Sequence, residues 1–530
     1  MDKYRGKRVL IIGAGRQGTA LARYLARHGA QVVLNDRRSA SALEAARAAL
    51  ADLPIQWALG GHPLTLLDGV DLVCPSGGVP LTLPLVQEAR VRGIPLSNEA
   101  QIFMEAAPCP VVGITGSAGK TTTTTLVGRM AGSAAEDVRG ISYSHNVAPA
   151  GTRKNAATDA ADAAPSTPSA PQAPPETEAP SGPSGQAPRS TSATAAAAAG
   201  QARQPLPRRW RRVWVGGNIG NPLIADVDAM TPDDLAVMEL SSFQLELMTA
   251  SPAVAAILNI TPNHLDRHGT MQAYTAAKAR ILTFQRPQDV AVLGWEDPGA
   301  WGLRAEVKGQ LMAFGLAEPP AGVDGTFLDQ ETLVLRRGGQ REPLFPRAVI
   351  RLRGEHNVRN VLAAAAVAAA LGLEPAHMRA GVEGFLGVPH RLELVRVLDG
   401  VAWYNDSIAT APERAMAAIR SFDEPLVLLA GGRDKKLPWD AWAALVRQRV
   451  RALIVFGEAA DLILEALAQA EGPLPEVVLR CRSLEEAVRA ASHVAQAGEV
   501  VLLSPGGTSF DEFRDFAERG ERFRAWVNAL

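Results

Sequence analysis

The sequence predicts an α/β protein of three domains, two Rossmann-like units flanking a central unit built on a phosphate-binding loop. Apolar runs of strand length alternate with helical patterns along most of the chain. A glycine-rich turn follows such a run twice, at Gly13 and at Gly113. The 530 residues also exceed what one core serves, at roughly 150 residues per domain. The expected divisions are 1–107, 108–387 and 388–530, with a low-complexity insertion at about 133–210 inside the second.

In the first unit, strands are expected at 8–12, 31–35 and 70–73 and helices at 19–28 and 83–92, the rhythm of a parallel sheet with crossover helices. The second opens with a strand at 111–115, the glycine-rich loop and a helix at 122–130. It resumes at Trp214 and continues through strands at 235–239 and 255–259 and a helix at 271–284. The third begins near Pro389, with strands at 426–429, 452–456 and 500–503. Between them, from Ser144 to Arg209, there is no Phe, Trp, Tyr or Ile, and Ala, Pro, Ser, Thr and Gly dominate. Such a stretch buries too little apolar surface to offset its ordering entropy, which predicts a disordered insertion tipped by Arg208, Arg209, Arg211 and Arg212.

Composition bounds the partners. An apolar fraction of 47% with 21% charged residues is that of a soluble globular chain. A net charge of −1 supplies no long-range field to draw nucleic acid or an anionic membrane. The three cysteines, Cys74, Cys109 and Cys481, lack the spacing of a zinc or redox motif and fit a reducing compartment. The N-terminal apolar run is too short for a secretory signal, and no run is long enough to span a bilayer. A cytoplasmic monomer is expected.

The strongest local signal is GITGSAGKTTTTT, Gly113 to Thr125, between a predicted strand and helix. Backbone N–H groups of such a loop and the helix N-terminus cradle anions. Gly113, Gly116, Ser117, Gly119, Lys120, Thr121 and Thr122 are the candidate ATP-binding residues, with Lys120 reaching the β- and γ-phosphates and the Thr121 hydroxyl ligating Mg²⁺. The strict pattern is broken by Ile114, where its first glycine belongs, and an ordinary flexible turn is the alternative. Gly13, Gly15 and Gly18 form G-x-G-x-x-G, and Asp36 ends the next strand where a ribose-binding acid is expected. Alone this reads as an NAD site and a dehydrogenase. Beside an ATP loop, the alternative is a site for the diphosphate of a nucleotide-linked substrate, with Asp36 or Arg37 and Arg38 holding the rest.

Glu239 in MELSSFQLE closes a strand, His264 in LNITPNHLDRH follows the next, and Lys278 lies in the helix after it. A carboxylate and an imidazole at strand ends near a phosphate loop can hold a divalent metal. Taken singly, the histidine reads as structural and the lysine as a solvated charge. A fourth group comprises GEHNVRN, whose His356, Asn357 and Asn360 share a helix face, then VPHRLE and YNDSIAT. Helix capping is the competing reading for the asparagines. AGGRDKKLPWD and SPGGTSFDEF place Lys435, Ser504 and Ser509 on loops after strands, an anion-binding rim.

With these segments in this order, the chain resembles the Mur ligases of bacterial cell-wall synthesis over essentially its whole length outside the insertion. The motifs that carry the likeness are GGNIGNP (Gly216 to Pro222), ELSSFQLE, LNITPNHLDRH with AAKARI, GEHNVRN, PHR with NDS, and SPGGTSFDEFRDFAERG. Within the family it is most similar to the branch that joins D-glutamate to UDP-N-acetylmuramoyl-L-alanine through an acyl phosphate, using ATP. The resemblance implies catalytic roles for Lys120, His264 and Lys278. It implies two Mg²⁺ ions held by Thr121, Glu239, His264 and a CO₂-derived carbamate on Lys278. It assigns Asn357, Asn360, His390, Arg391 and Asp406 to ATP, and Thr410, Lys435, Ser509 and Phe516 to D-glutamate. Gly15, Arg16, Asp36, Arg37, Gly78 and Asn218 fall to the UDP-linked substrate. Departures from the family pattern are Ala118 for an asparagine in the phosphate loop, Asn263 for an aspartate, Ile408 for a lysine and Gly77 for a proline. Rivals are another Mur ligase or a folylpolyglutamate synthase, and outside the class a dehydrogenase or a non-catalytic nucleotide-binding protein.

Overall fold

Successive residues from Val9 to Ile12 enter two different cores. Val9 and Ile11 join Leu21 and Leu25, whereas Leu10 and Ile12 join Val33, Leu85 and Val86. Side chains alternate across a strand, so a strand covered on both faces must read as an unbroken apolar run. The same division recurs in the third sheet, where Leu426 and Leu428 lie in one cluster and Val427 and Leu429 in the other.

The computed structural model describes residues 3–139, 210–218 and 220–530. Three sheets follow one another along the chain, as the α/β reading requires. The first is parallel, in the order Ile55–Leu59, Gln31–Asp36, Arg8–Ile12, Leu72–Pro75. The third has six strands, in the order Glu393–Leu398, Val401–Asn405, Val500–Gly506, Leu426–Gly431, Val450–Phe456, Val477–Arg480, parallel except for its first pair.

The central sheet has ten strands. From one edge they run Ala135–Arg139, Trp210–Gly217, Leu235–Glu239, Val111–Thr115, Val254–Ile257, Val290–Gly294 and Gln310–Phe314. Beyond these, Asp324–Asp329, Thr332–Arg337 and Gln340–Pro346 form an antiparallel meander that the sequence reading did not anticipate. From Val111–Thr115 the chain fills one side of the sheet, returns, and then fills the other. That makes this strand the switch point, where the C-terminal ends of its neighbours open a crevice for ligands.

The expected insertion lies almost wholly outside the described residues, but its two ends do not. Ala135–Arg139 and Trp210–Gly217 are paired in parallel, with Trp210 buried. Arg211 therefore belongs to a strand and not to a loop tip: its guanidinium pairs at 3.0 Å with Asp234, which is fully buried. Between the first two sheets runs the helix Glu99–Ala106, capped by Asn98, whose side chain accepts from the Gln101 N–H at 2.8 Å. Its Ala100, Ile102 and Phe103 share one apolar cluster with Val9 and Ile11 of the first sheet and Met238 and Ala255 of the second. Among the described residues no helix is long and apolar enough to cross a membrane.

Candidate active site at the strand ends

Thr115 and Glu239 end two neighbouring strands of the central sheet, and the loops that follow them meet. Gly119 takes φ +81° at the start of the helix Lys120–Gly132, which has no side-chain cap. Its first N–H groups are thus open to an anion. A Cβ on Gly119 would stand 2.2 Å from Asn360 Oδ1, so the loop and the Asn360 helix pack as closely as glycine permits. Asn259 clasps the loop: its Oδ1 accepts from the Ala118 N–H at 2.8 Å, and its backbone carbonyl accepts from the Ser117 N–H at 2.9 Å. The loop is held through its main chain, so Ala118, the departure from the family pattern, costs none of these bonds. Gly113 is a correction. It lies inside the strand Val111–Thr115, where a Cβ would meet Pro252 at 2.6 Å, and it serves packing rather than phosphate contact.

Glu239 is 1% exposed. The Thr121 hydroxyl donates to its Oε2 at 2.8 Å and the Asn218 amide to its Oε1 at 2.9 Å. Asn218, expected on the UDP-linked substrate, is exposed and also touches the acidic centre. Lys120 Nζ donates to the carbonyls of Gly116 at 2.8 Å and Ser117 at 3.2 Å. Burial holds its pKa below the usual lysine value; Arg391 and Arg414 of the third domain add to this, and Glu239 opposes it. Lys278 is buried more deeply than Lys120, donating to the Gly116 carbonyl at 2.9 Å and the Thr115 hydroxyl at 3.3 Å. Burial and the charge of Lys120 bring it down to about 7, against the pull of Glu239.

Hard oxygen ligands suit Mg²⁺, and the Thr121 hydroxyl and the Glu239 carboxylate, already in contact, fit that cation. His264 is placed differently. It has φ 53°, begins the short helix Leu265–His268, is exposed, and meets the Phe243 ring edge-on at 5.1 Å between centroids. Among the described residues no three His, Cys, Asp or Glu side chains form a metal-binding group. Thr121 and Glu239 are thus the pair the fold brings together.

Beside the loop lies a cleft of about 250 Å³ whose lining includes Gly119, Asn259, Glu296, Phe314, Arg359 and Asn360. Glu296, Phe314 and Arg359 were missed by sequence reasoning, although WEDP directly after the strand Val290–Gly294 was a usable signal. Asn357 does not line the cleft. Its side chain donates to the Arg353 carbonyl at 2.7 Å and accepts from Asn360 at 3.1 Å, so it orients its neighbour, close to the capping alternative.

In the first domain, Gly15 begins the helix Arg16–Arg27 with no side-chain cap and open space where a Cβ would be. Gly18 packs where a Cβ would overlap the Gly13 carbonyl. Asp36 is a second correction. One oxygen accepts from the Ala14 N–H at 2.8 Å, and Arg38 binds both, its Nη2 at 2.8 Å from Oδ2. The Arg38 hydrogen bonds hold its carboxyl well below the usual range despite burial. The carboxylate braces the loop and is not free to receive a ribose, which removes the acid that the dehydrogenase reading needs. Arg37 is exposed, and Arg16 donates to the Gly220 carbonyl at 3.2 Å, linking the first domain to the second.

In the third domain, Lys435 donates to the Thr410 hydroxyl at 3.0 Å. Ser509 is buried on the same rim, and Phe516 is partly exposed, edge-on to His390 at 6.2 Å. His390, pushed down to about 4 by burial, is neutral, and its Nδ1 accepts from the Asn405 amide at 3.1 Å. Asp406 accepts from Ser504 at 2.9 Å and is pushed up to about 7 by burial. The exposed Arg391 lies close enough to influence both Lys120 and Asp406. Sequence reasoning missed Arg519, fully buried and donating to the Ser407 hydroxyl at 3.0 Å and the Gly507 carbonyl at 3.1 Å, and with it Arg414.

Three tandem α/β domains, with an open phosphate loop beside a buried carboxylate and a buried lysine, define a nucleotide-dependent ligase. The comparisons agree. The Mur ligase MurD-like N-terminal domain matches residues 7–98, the Mur ligase middle domain 217–368, and the Mur ligase glutamate ligase domain 390–507. The chain is 37% identical over 524 residues to a protein of Symbiobacterium thermophilum named UDP-N-acetylmuramoylalanine–D-glutamate ligase, covering 99% of this chain and 98% of that one. A protein of the same name from Pelotomaculum thermopropionicum is 37% identical over 531 residues, with 100% and 99% covered. The UDP-N-acetylmuramate–alanine ligase of Thermotoga maritima shares the fold at a TM-score of 0.52 and 17% identity, over 99% of each chain. The chain belongs to the Mur ligase family, the ATP-dependent amide-forming enzymes of peptidoglycan precursor synthesis.

Proposed function

We propose that this chain is a cytoplasmic, monomeric enzyme that joins D-glutamate to the carboxyl group of UDP-N-acetylmuramoyl-L-alanine. The observation that carries this reading is the convergence of Lys120, Thr121, Glu239 and Lys278 at the switch point of the central sheet. The full-length likeness to D-glutamate ligases supports the choice of amino acid.

The cleft beside Asn360 takes the nucleoside of ATP, and the open N-terminus of the helix Lys120–Gly132 takes its phosphates. The acceptor carboxylate attacks the γ-phosphorus, the bond to ADP breaks, and an acyl phosphate results. Lys120 neutralises charge spreading over the transferring oxygens, a preorganised electrostatic role. Thr121 and Glu239 would hold one Mg²⁺ and His264 would serve a second, and such ions would screen the phosphate charge. Lys278 is the site of a CO₂-derived carbamate: its neutral amine bonds to the carbon of CO₂ and releases a proton. A carboxylate-like group then replaces an ammonium that would repel Mg²⁺.

Lys435, Thr410 and Ser509, with Phe516 beside them, hold the carboxylates of D-glutamate. Its neutral amine attacks the acyl carbon, the C–O bond to phosphate breaks, and the amide forms as the nitrogen releases a proton. The first domain binds the UDP diphosphate at Gly15 and Gly78, with Arg16 and Arg37 for the remaining charge. Phosphate release from ATP with purified UDP-N-acetylmuramoyl-L-alanine and one amino acid at a time tests the reading. D-glutamate should be the amino acid that drives turnover, whereas turnover with L-alanine, L-lysine or meso-diaminopimelate but not D-glutamate would overturn it.

A further inference from the structure

Arg267 lies in the short helix Leu265–His268 that follows the His264 turn. Its guanidinium sits over the Phe243 ring, 4.3 Å from the centroid. It also crosses to the first domain, donating to the carbonyls of Val79 at 3.2 Å and Gly78 at 3.5 Å. The shelf it rests on is fixed. His268 stacks with Phe243 at 5.3 Å with an interplanar angle of 6°, and each nitrogen of the His268 ring has a partner: Ser242 Oγ at 2.9 Å and Glu246 Oε1 at 3.0 Å. Stacking of a guanidinium on an aromatic face, with its donors on carbonyls, is a geometry an ammonium reproduces only in part.

The loop that Arg267 grips has few other ties. The Gly77 N–H donates to Gln17 at 3.3 Å and the Val79 N–H to the Ser76 carbonyl at 2.8 Å, which leaves the Gly78 N–H for a ligand. We propose that Arg267 is a positioning residue for the UDP-linked acceptor: by tying the Gly78–Val79 loop to the Phe243 shelf and the His264 turn, it sets how far the acceptor reaches from the first domain toward the phosphate site. The inference rests on the function proposed above. A rigid spacing matters because small misplacements of reacting groups are costly in rate.

The test uses the full chain carrying Arg267→Ala, Arg267→Lys and, separately, Phe243→Leu, with steady-state kinetics in each substrate and thermal melting. Arg267→Ala should raise the KM for UDP-N-acetylmuramoyl-L-alanine by about tenfold, with the KM for ATP and for D-glutamate within about twofold and the melting temperature little changed. Arg267→Lys should recover part of that loss, and Phe243→Leu should show the same acceptor-specific defect. An acceptor KM within about twofold of the parent in Arg267→Ala overturns the inference, as does a parallel rise in all three KM values with a lower melting temperature. If Arg267→Ala does not fold, an acceptor KM that stays at the parental value in both Arg267→Lys and Phe243→Leu overturns it equally. A parent enzyme that fails to ligate this acceptor at all would bring down the proposed function first and the inference with it.

Discussion

Lys120 and Lys278 share one acceptor, their Nζ atoms lying 2.8 and 2.9 Å from the carbonyl oxygen of Gly116. Two ammonium groups so close repel each other, and the more deeply buried one gives up its proton more readily. That one is Lys278, brought down to about 7, and a neutral amine is the form that reacts with CO₂.

Lys278→Ala should lower turnover by about a hundredfold or more, with partial recovery when a short carboxylate is added to the assay. The pH dependence follows from the lowered pKa. As pH falls through about 7, Lys278 takes up a proton and loses its lone pair. Incorporation of isotopically labelled bicarbonate at Lys278, read by NMR, should therefore be smaller at about pH 6 than at about pH 8. Equal incorporation at both would remove the role given to its titration.

Gly119→Ala puts a Cβ against Asn360 Oδ1 and forces φ +81° on an alanine. The strain falls at once on the loop and on a residue lining the cleft proposed for the nucleotide. The KM for ATP should rise by about tenfold or more. Nucleotide titration by calorimetry, with the acceptor absent, checks this separately from turnover.

Asp36→Ala removes the acceptor of the Ala14 N–H and leaves Arg38 without its partner. Loss of a buried hydrogen-bonded carboxylate costs about 2 kcal/mol, measurable by urea denaturation at neutral pH. Its folded pKa is depressed, so its contribution is present above the unfolded value of 3.8 and lost as pH falls below it. The variant and the parent should therefore converge in stability under acid.

Glu99 should show the opposite trend. It is buried, neither carboxyl oxygen has a partner within hydrogen-bond geometry, and burial pushes it up to about 7 from 4.5, with the Ile224 amide and the Gln244 side chain opposing the shift. The folded state thus binds the proton more tightly than the unfolded state does. Stability declines as pH rises from about 4.5 to about 7 and is level above that. Glu99→Gln should raise the melting temperature at about pH 8 and leave it unchanged at about pH 4. A gain of the same size at both values would show that ionisation is not the cause.

The places where sequence reading and structure part company share one feature. Asp36 has the spacing of a ribose-binding acid, yet Arg38, two residues on, occupies its oxygens. Gly113 belongs to a glycine-rich motif, yet it packs on Pro252, well over a hundred residues away. Asn218 reads from its motif as a substrate residue, and its amide also donates to the buried Glu239, a contact that the motif does not announce. In each case the residue type and position were legible and the partner was not, because the partner comes from a distant segment or from a local geometry that no pattern encodes.

Where the chemistry depends on one backbone segment, sequence was sufficient. The strand Val111–Thr115, the loop after it and the helix Lys120–Gly132 follow from local apolar periodicity and from glycines that allow the turn, and the uncapped helix N-terminus they form is suited to an anion. The apolar runs on both sides of the insertion likewise announced parallel sheets buried on two faces. What required folding was everything that depends on three strands ending side by side. The Thr121 hydroxyl on Glu239, two lysines on the Gly116 carbonyl, Asn360 against Gly119 and Arg267 reaching Gly78 each join residues separated by dozens to hundreds of positions. A buried lysine near neutrality is a property of that assembly, since desolvation and a neighbouring charge exist only once the sheet has brought them together.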